Sequence, residues 1–332
     1  MNYNNIKLEK DMYNVCNKSF TDVLEELDPS EQYRGTELEN LDAYQRQLKR
    51  FDIRVSGPNC DNVEKFFLSP VSAVLFPEFI NRSLEKGLYY YSDILPAVVA
   101  TKSTVNTLDY RTVTSNLEGL NFSGNEVEES GYLPEINITT NTNLISLKKH
   151  GRLLTSTYEA LRFQNLDVIS VILRKIGFDI LNEQLKDAIT VMQTGTTPQS
   201  VSSVSYDSLL TLWLALKPYN MNVIITRYDI AKKILALNEM KDAQAGLDFQ
   251  GTGRNITPLG AKLICSPWVN ANTIIGLDKN CAIQMVQSGK VTLDYNKLID
   301  KQIEKAGISV RAGFAKIFAG AIKIISLPSS SS

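Results

Sequence analysis

One long stretch of apolar residues at helical spacing constrains the fold of this chain more than any other feature. The apolar positions recur at intervals of three and four residues, at Leu166, Ile169, Leu173, Ile176 and Ile180, and a neighbouring stripe continues to Met192. Nothing interrupts the pattern before Gly195. The spacing predicts one helix over residues 165–193, about 28 residues and about 42 Å long, more than twice the average helix length.

Gly177 lies inside this predicted helix, where a glycine costs about 1 kcal/mol relative to alanine. We therefore expect another backbone segment to pack closely against Gly177. The apolar stripe drifts around the helix and lacks repeated heptads, which argues against a coiled coil.

Residues 101–150, immediately before this helix, form a polar arm with little to build a core. Alternating β-branched residues predict two strands, one near residues 105–113 and one near 136–142. The tip between them, residues 114–134, contains glycines and acidic residues, and such a long loop in a compact domain usually has a function. Two interpretations remain open, namely an extended hairpin that reaches a neighbouring molecule and a disordered insertion.

The residues before the arm divide into two parts. Residues 1–65 are predicted to be an extension with helices, because Asp28 and Pro29 favour one helix start and a capping box of Thr36 and Glu39 favours a helix over residues 37–50. The breaker cluster at residues 56–59 is a plausible hinge. Residues 66–100 are aromatic and apolar, with a helix predicted near residues 78–86.

The residues after the arm mix helices and strands, so the predicted fold class is α+β. A capping box of Ser156 and Glu159 predicts a helix start before the long helix. Helices are predicted at residues 207–217 and 228–237 and short strands at residues 222–226, 261–265, 273–277, 282–286 and 290–295, with a strand-rich close at 308–325. Residues 243–257 are glycine-rich, and residues 328–332 are predicted to be a disordered tail.

Composition excludes several classes of function. The 35 basic and 36 acidic residues give a formal charge of −1, which argues against nucleic-acid binding by bulk neutralisation of phosphates. The sequence has neither a signal peptide nor an apolar run long enough to span a bilayer, so we expect a soluble protein with no membrane partner. The cysteines are too scattered for a metal knuckle and are expected to be reduced structural thiols: Cys16, Cys60, Cys265 and Cys281.

No catalytic constellation is evident in the sequence. The chain has one histidine, His150, which is most simply interpreted as an ordinary residue at a strand end. Gly251 and Gly253 resemble the start of a dinucleotide fingerprint, but no strand leads into them and Pro258 opposes a following helix. We therefore predict no enzyme activity, no catalytic residues, no cofactor and no metal.

Three stretches, at residues 68–78, 147–161 and 257–278, carry a resemblance to a known family. Together with the order of hairpin, long helix, α/β segment and strand-rich close, they resemble the major capsid proteins of tailed bacteriophages, which have the Hong Kong 97 fold. The resemblance covers residues 66–327. It implies that residues 66–100 are the N-terminal arm, that residues 101–150 are an extended loop lying across an adjacent subunit, and that the long helix is the spine helix.

The resemblance also implies domains and contacts. Residues 151–202 and 270–327 would form a peripheral domain, and residues 203–269 an axial domain around fivefold and sixfold axes. Candidate inter-subunit residues lie in the arm tip and in the glycine-rich segment: Leu117, Phe122, Glu126, Glu128, Tyr132, Gly251 and Arg254. Relatives often carry a longer N-terminal scaffolding region that a protease removes, whereas we expect residues 2–50 to be retained.

The function implied by the resemblance is self-assembly. Hexamers and pentamers would build the icosahedral head shell that encloses the double-stranded DNA of a tailed phage or prophage, without sequence specificity. Portal, scaffolding or decoration proteins would be partners, and the protein would reside in the virion after assembly in the cytoplasm of a bacterial host. The alternatives are an encapsulin-type compartment with the same fold and an α/β enzyme with an unfamiliar site.

Overall fold

The computed structural model describes residues 3–15, 18–90, 94–107, 109–115, 129, 137–241, 257, 259–298 and 303–328. Its α-helices are α1 (Phe20–Leu27), α2 (Ala43–Arg50), α3 (Phe76–Tyr90), α4 (Leu95–Val98), α5 (Tyr158–Arg162), α6 (Leu166–Gln193), α7 (Tyr206–Ala215), α8 (Tyr228–Leu235) and α9 (Asn238–Lys241). Its strands are β1 (Thr101–Val105), β2 (Asp109–Ser115), β3 (Ile138–Ser146), β4 (Lys148–Thr157), β5 (Gln199–Ser200), β6 (Val223–Thr226), β7 (Lys262–Cys265), β8 (Thr273–Leu277), β9 (Ile283–Leu298), β10 (Ile303–Lys316) and β11 (Ile322–Ser326). This mixture confirms the predicted α+β class.

The chain divides into two compact units. The first comprises residues 1–91, 151–181 and 291–309, and the second comprises residues 92–150, 182–290 and 310–332. Helix α6 and strands β4, β9 and β10 each contribute residues to both units.

The first unit contains a buried ion pair that organises the N-terminal residues. Arg46 is completely buried, and its Nε donates to Asp28 Oδ2 at 2.6 Å. The guanidinium lies 4.3 Å from the centroid of the Tyr33 ring, and the Tyr33 hydroxyl donates to Asp28 Oδ1 at 2.6 Å. Removing one partner of such a pair strands a buried charge, which typically costs about 3–5 kcal/mol.

Helices α3 and α6 cross in the first unit with their backbones almost in contact. A Cβ atom on Gly87 would lie 2.1 Å from the carbonyl oxygen of Arg174, and one on Gly177 would lie 2.4 Å from that of Leu84. Only glycine permits this approach. The close packing expected at Gly177 is therefore confirmed, as is the long helix, since α6 runs for 28 residues.

The second unit is built around a five-stranded sheet in the order β5-β11-β8-β6-β7. Strand β6 runs parallel to β7 and antiparallel to β8, which in turn pairs antiparallel with β11. Buried residues of α7 and α8 cover this sheet, and Gly276 in β8 admits the Leu212 side chain, because a Cβ there would lie 2.9 Å from its Cδ2.

Two further sheets involve the arm. A four-stranded sheet has the order β1-β9-β10-β4, with β1 parallel to β9 from Thr101 opposite Gln284 to Val105 opposite Ser288. Strands β2 and β3 form a separate antiparallel pair. The predicted pairing of two arm strands is confirmed, but residues 101–105, at the start of the arm, leave it and pair with β9, whose residues 284–288 lie 183 positions later in the sequence.

Both helix starts predicted in the N-terminal region were wrong. Helix α2 begins at Ala43 instead of residue 37, because Asp42 and Gln45 form the actual capping box. The Thr36 hydroxyl instead donates to the Tyr33 carbonyl oxygen at 2.6 Å. Residues after Pro29 form only a single 3-10 turn, Ser30–Tyr33, while Ser19 and Asp22 cap a helix that was not predicted, α1.

Two later predictions need correction in detail. Helix α5 confirms a helix start before the long helix, but strand β4 continues through Thr157, whose hydroxyl, rather than that of Ser156, accepts the Ala160 N–H at 3.2 Å. The strands predicted at residues 282–286 and 290–295 are one 16-residue strand, β9, in which Gly289 takes a φ of +68°. Glycine tolerates this conformation, so the strand continues through Gly289.

Alanine at the helix crossing should destabilise the first unit. Gly87→Ala or Gly177→Ala forces a methyl group against backbone atoms, and overpacking of this kind typically costs about 1–3 kcal/mol. The midpoint of urea unfolding, followed by circular dichroism of the unassembled subunit, should fall in both variants. Gly307→Ala is the matched control, because its methyl group would meet Asp294 O at an ordinary 3.7 Å. Equal midpoints in all three variants would contradict the packing described.

Candidate functional site

Strands β2 and β3 form the stem of the arm, which we call the arm stem. The pairing runs from Asp109 opposite Ser146 to Ser115 opposite Ile138, with a register shift between Arg111 and Val113. Two aliphatic side chains of β3 are open to solvent, Ile138 at 70% and Leu144 at 53% exposure. A two-stranded ribbon is marginally stable by itself, so the arm stem needs anchors in its own unit and leaves apolar surface uncovered.

The first anchor is the side-chain amide of Gln284 in β9. Its oxygen accepts a hydrogen bond from the Thr112 hydroxyl at 2.8 Å, and both groups are buried. Its nitrogen donates to Ser103 Oγ at 3.0 Å and to the Tyr110 hydroxyl at 3.3 Å. One amide therefore joins β1 and β2 to β9, which fixes where the arm stem leaves the sheet.

The second anchor is a charged cluster between β4 and α6. The Asp187 carboxylate accepts a hydrogen bond from Lys148 Nζ at 2.8 Å and lies 2.7 Å from His150 Nε2. Glu183, one helical turn earlier, places Oε2 3.2 Å from His150 Nδ1. Both imidazole nitrogens thus face carboxylates. His150 serves to tie the strand to the helix, and the sequence-based interpretation of it as an ordinary strand-end residue missed this role.

A close backbone contact completes the anchoring. A Cβ atom on Gly313 of β10 would lie 2.7 Å from Ile145 Cγ2 and 2.8 Å from the carbonyl oxygen of Ser146. Ile145 is buried, whereas its neighbour Leu144 is exposed, as strand alternation requires. We call the Gln284 and Asp187 clusters, with this contact, the arm root.

The candidate contact residues chosen from the sequence all lie outside the described residues: Leu117, Phe122, Glu126, Glu128, Tyr132, Gly251 and Arg254. The arm tip and the glycine-rich segment fall there too, except for a few positions. The sequence reasoning also missed Gln284, Asp187 and Glu183. A signal existed for the acidic pair, because residues four apart share one helix face and the chain offers a single histidine as a partner; Gln284 gave none, since it lies between apolar neighbours in a buried strand.

The described part of the chain shows no conventional reactive site. It contains no group of three or more histidine, cysteine or acidic side chains placed so that they could hold a metal ion. Cys60, Cys265 and Cys281 are free thiols, and burial raises the pKa of each. None of the helices in these ranges combines the length and apolar character required to cross a bilayer.

Substitution of Gln284 should loosen the arm stem without unfolding the unit. Gln284→Ala removes three hydrogen bonds, each of which typically contributes about 1 kcal/mol. Amide hydrogen exchange in β1 and β2 should accelerate about tenfold or more. Gln287→Ala is the control on the same strand, because the Gln287 amide donates locally to Gly289 O at 3.0 Å. Equal exchange rates in the two variants would show that Gln284 is not an anchor.

Comparisons with known proteins identify the fold. No protein-family model matches the sequence, and no curated protein matches it significantly. Among solved structures, a virus-like particle from Pyrococcus furiosus matches with a TM-score of 0.53 and 11% identity, over 75% of this chain and 98% of that one. The capsid of a native GTA particle matches with a TM-score of 0.52 and 14% identity, over 70% and 91%. The chain therefore has the Hong Kong 97 capsid fold, as its sequence resemblance implied.

Proposed function

We propose that this chain is a major capsid protein that self-assembles as hexamers and pentamers into an icosahedral head shell. The observation that carries the proposal is the match to shell-forming structures over almost their whole length, 98% and 91% of the two chains named above. Fold alone does not fix function, so the arm supplies the second support.

The arm is the part of the subunit that we assign to contact with a neighbour. Its stem exposes Ile138 and Leu144, while its root is held by the Gln284 amide and the Asp187 cluster. Apolar side chains along an anchored arm are suited to cover a second copy, because the anchors reduce the ordering cost on binding. We propose that residues 101–150 lie across an adjacent subunit and that the contacts continue into the arm tip.

The remaining regions follow the same scheme. Helix α6 is proposed as the spine helix, residues 151–202 and 270–327 as the peripheral domain, and residues 203–269 as the axial domain around the fivefold and sixfold axes. In the five-stranded sheet only β6 and β7 come from the proposed axial domain, whereas β5, β8 and β11 come from the proposed peripheral domain, so this sheet joins the two. Residues 66–100, which include α3, are proposed as the N-terminal arm of the fold.

The proposed content of the shell is double-stranded DNA of a tailed phage or prophage. A formal charge of −1 suits a wall that encloses DNA without binding it by sequence or by bulk neutralisation. Its further proposed partners are a portal protein and scaffolding or decoration proteins. The protein would act in the virion after assembly in the bacterial cytoplasm.

Expression of the full chain in a bacterial host, followed by electron microscopy of purified particles, tests the proposal. We expect rings of five and six subunits, shells or tubes, and incorporation of DNA when the other head proteins are present. Small uniform cages enclosing a host enzyme would instead identify an encapsulin-type compartment. A chain that stays monomeric at high concentration, also in the presence of scaffolding and portal partners, would overturn the proposal.

Charge introduced on the arm stem should block assembly while leaving the subunit folded. Ile138→Asp combined with Leu144→Asp places carboxylates where we propose apolar contact with a neighbour, and desolvating them would be unfavourable. Particle yield on a density gradient should fall at least tenfold, with an unchanged circular dichroism spectrum. Deletion of residues 116–131 should act in the same way.

Leu27→Asp is the control, because Leu27 is also exposed, at 56%, but lies outside the arm. Normal particles from the arm variants would refute the assigned role of the arm. Unfolding of the tip deletion would show that the arm belongs to a core.

A further inference from the structure

The N-terminal residues of the first unit have a polar interior of their own, centred on Arg46. Besides its contact with Asp28 Oδ2, the guanidinium donates to the carbonyl oxygens of Leu41 at 2.6 Å and Asp28 at 2.5 Å, and to Ser30 Oγ at 3.0 Å. Tyr33 is also fully buried, and burial raises the pKa of its hydroxyl to about 12. These groups can be satisfied together only when residues 28–46 are folded.

The same residues are attached to α3 by a second polar network, centred on Arg82. The Arg82 guanidinium donates to Asp42 Oδ2 at 2.7 Å, to Thr21 Oγ1 at 2.7 Å and to Glu78 Oε1 at 3.1 Å. The Thr21 hydroxyl donates to the same Glu78 oxygen at 2.7 Å, and Glu78 is buried. In this network, Glu78 and Arg82 of α3 are hydrogen-bonded to Thr21 and Asp42 of the N-terminal segment.

Two tyrosines extend this attachment to the turn that precedes α3. Tyr44 is buried, and its hydroxyl donates to the Leu75 carbonyl oxygen at 3.2 Å; the Tyr13 hydroxyl donates to that of Val74 at 2.8 Å and accepts the Glu78 N–H at 3.1 Å. Tyr13 also stacks on Phe20, with ring centroids 4.3 Å apart. The N-terminal segment is therefore joined to α3 and to the turn before it by hydrogen bonds that involve Tyr13, Thr21, Asp42 and Tyr44.

By contrast, the connection from this segment to the rest of the chain is an exposed turn. Residues 56–59 are all exposed, and Gly57 has a φ of +94°. The turn closes on itself, since the Asp61 N–H donates to Arg54 O at 2.9 Å and Asp61 Oδ2 accepts the Arg54 N–H at 2.7 Å. Such a turn is open to a protease, whereas the contacts of the segment with α3 do not depend on it.

We propose that residues 3–54 form an N-terminal clamp, a folded segment that grips α3 through the Arg82 and Tyr44 contacts and stays bound even when the connecting turn is cut. The clamp is a permanent part of the subunit and not a removable scaffold. The expectation that the clamp is retained in the mature shell rests on the proposed function, whereas the attachment of the clamp to α3 does not.

A nicked subunit tests this directly. A site-specific protease sequence replaces residues 56–59 in the full chain, and the purified, unassembled protein is then cut. We expect both fragments to elute together on gel filtration and to separate only in denaturant. Elution of the N-terminal fragment alone, whether the remainder stays folded or aggregates, would overturn the proposal.

Variants of the nicked protein test which contacts hold the clamp. Arg82→Met should speed release of a fluorescently labelled N-terminal fragment at least tenfold, and Thr21→Val should act in the same direction if the first variant does not fold. Arg54→Met is the matched control, because the Arg54 guanidinium is exposed and its ion pair with Asp52 is long, with 3.9 Å between Nη2 and Oδ1. Release as slow in Arg82→Met and Thr21→Val as in the control would show that the polar network does not hold the segment.

The mature form provides an independent readout. Mass spectrometry of assembled particles should find the N-terminal clamp present. Its loss through a cut between residues 50 and 62 would overturn the proposal. Because the nicking experiment uses the unassembled subunit, a clamp that holds in a chain that forms no shell would refute only the proposed function.

Discussion

The contact between the backbones of α3 and α6 is the constraint on which the other features of the first unit depend. Gly87 and Gly177 let carbonyl oxygens approach to distances that a side chain would forbid. Backbone atoms cannot change rotamer, so repacking of side chains cannot relieve this contact. It therefore fixes the position of α3 against α6. The N-terminal clamp grips that same helix through Arg82, and its buried ion pair is satisfied only in the folded segment. The glycine contact thus positions α3, and α3 in turn holds the N-terminal clamp.

The arm is fixed by a different kind of interaction. Its root is made of directional polar contacts, the Gln284 amide and the carboxylates of α6, while its stem presents aliphatic side chains to solvent. Directional hydrogen bonds fix the direction in which the arm stem leaves its sheet. Burial of apolar surface generally supplies most of the free energy of association between proteins. The arm therefore combines a fixed root with an apolar stem, which suits the contact with an adjacent subunit that we propose for it.

Long periodic patterns in the sequence were informative, whereas short motifs were not. Helix α6 and the tight packing of Gly177 could be predicted, because five or more apolar positions in phase rarely arise by chance. The boxes at Thr36 and Ser156 misplaced two helix starts, since a capping box needs only two residues and several candidates compete within a few positions. The pairing of β1 with β9 and the role of Gln284 depend on segments about 180 residues apart, and no local pattern encodes such a partner.

The arm and Gln284 lie far apart in the sequence, so the ribosome synthesises them at different times. Gln284 is made 134 residues after His150, the last residue of the arm. At ordinary rates of translation the ribosome needs on the order of 10 s to cover that interval. During that time the arm strands have been synthesised, but the amide that positions β1 and β2 does not yet exist. A nascent chain therefore carries its apolar arm stem without the Gln284 anchor during those seconds, when only the cluster around Asp187 is available to hold it.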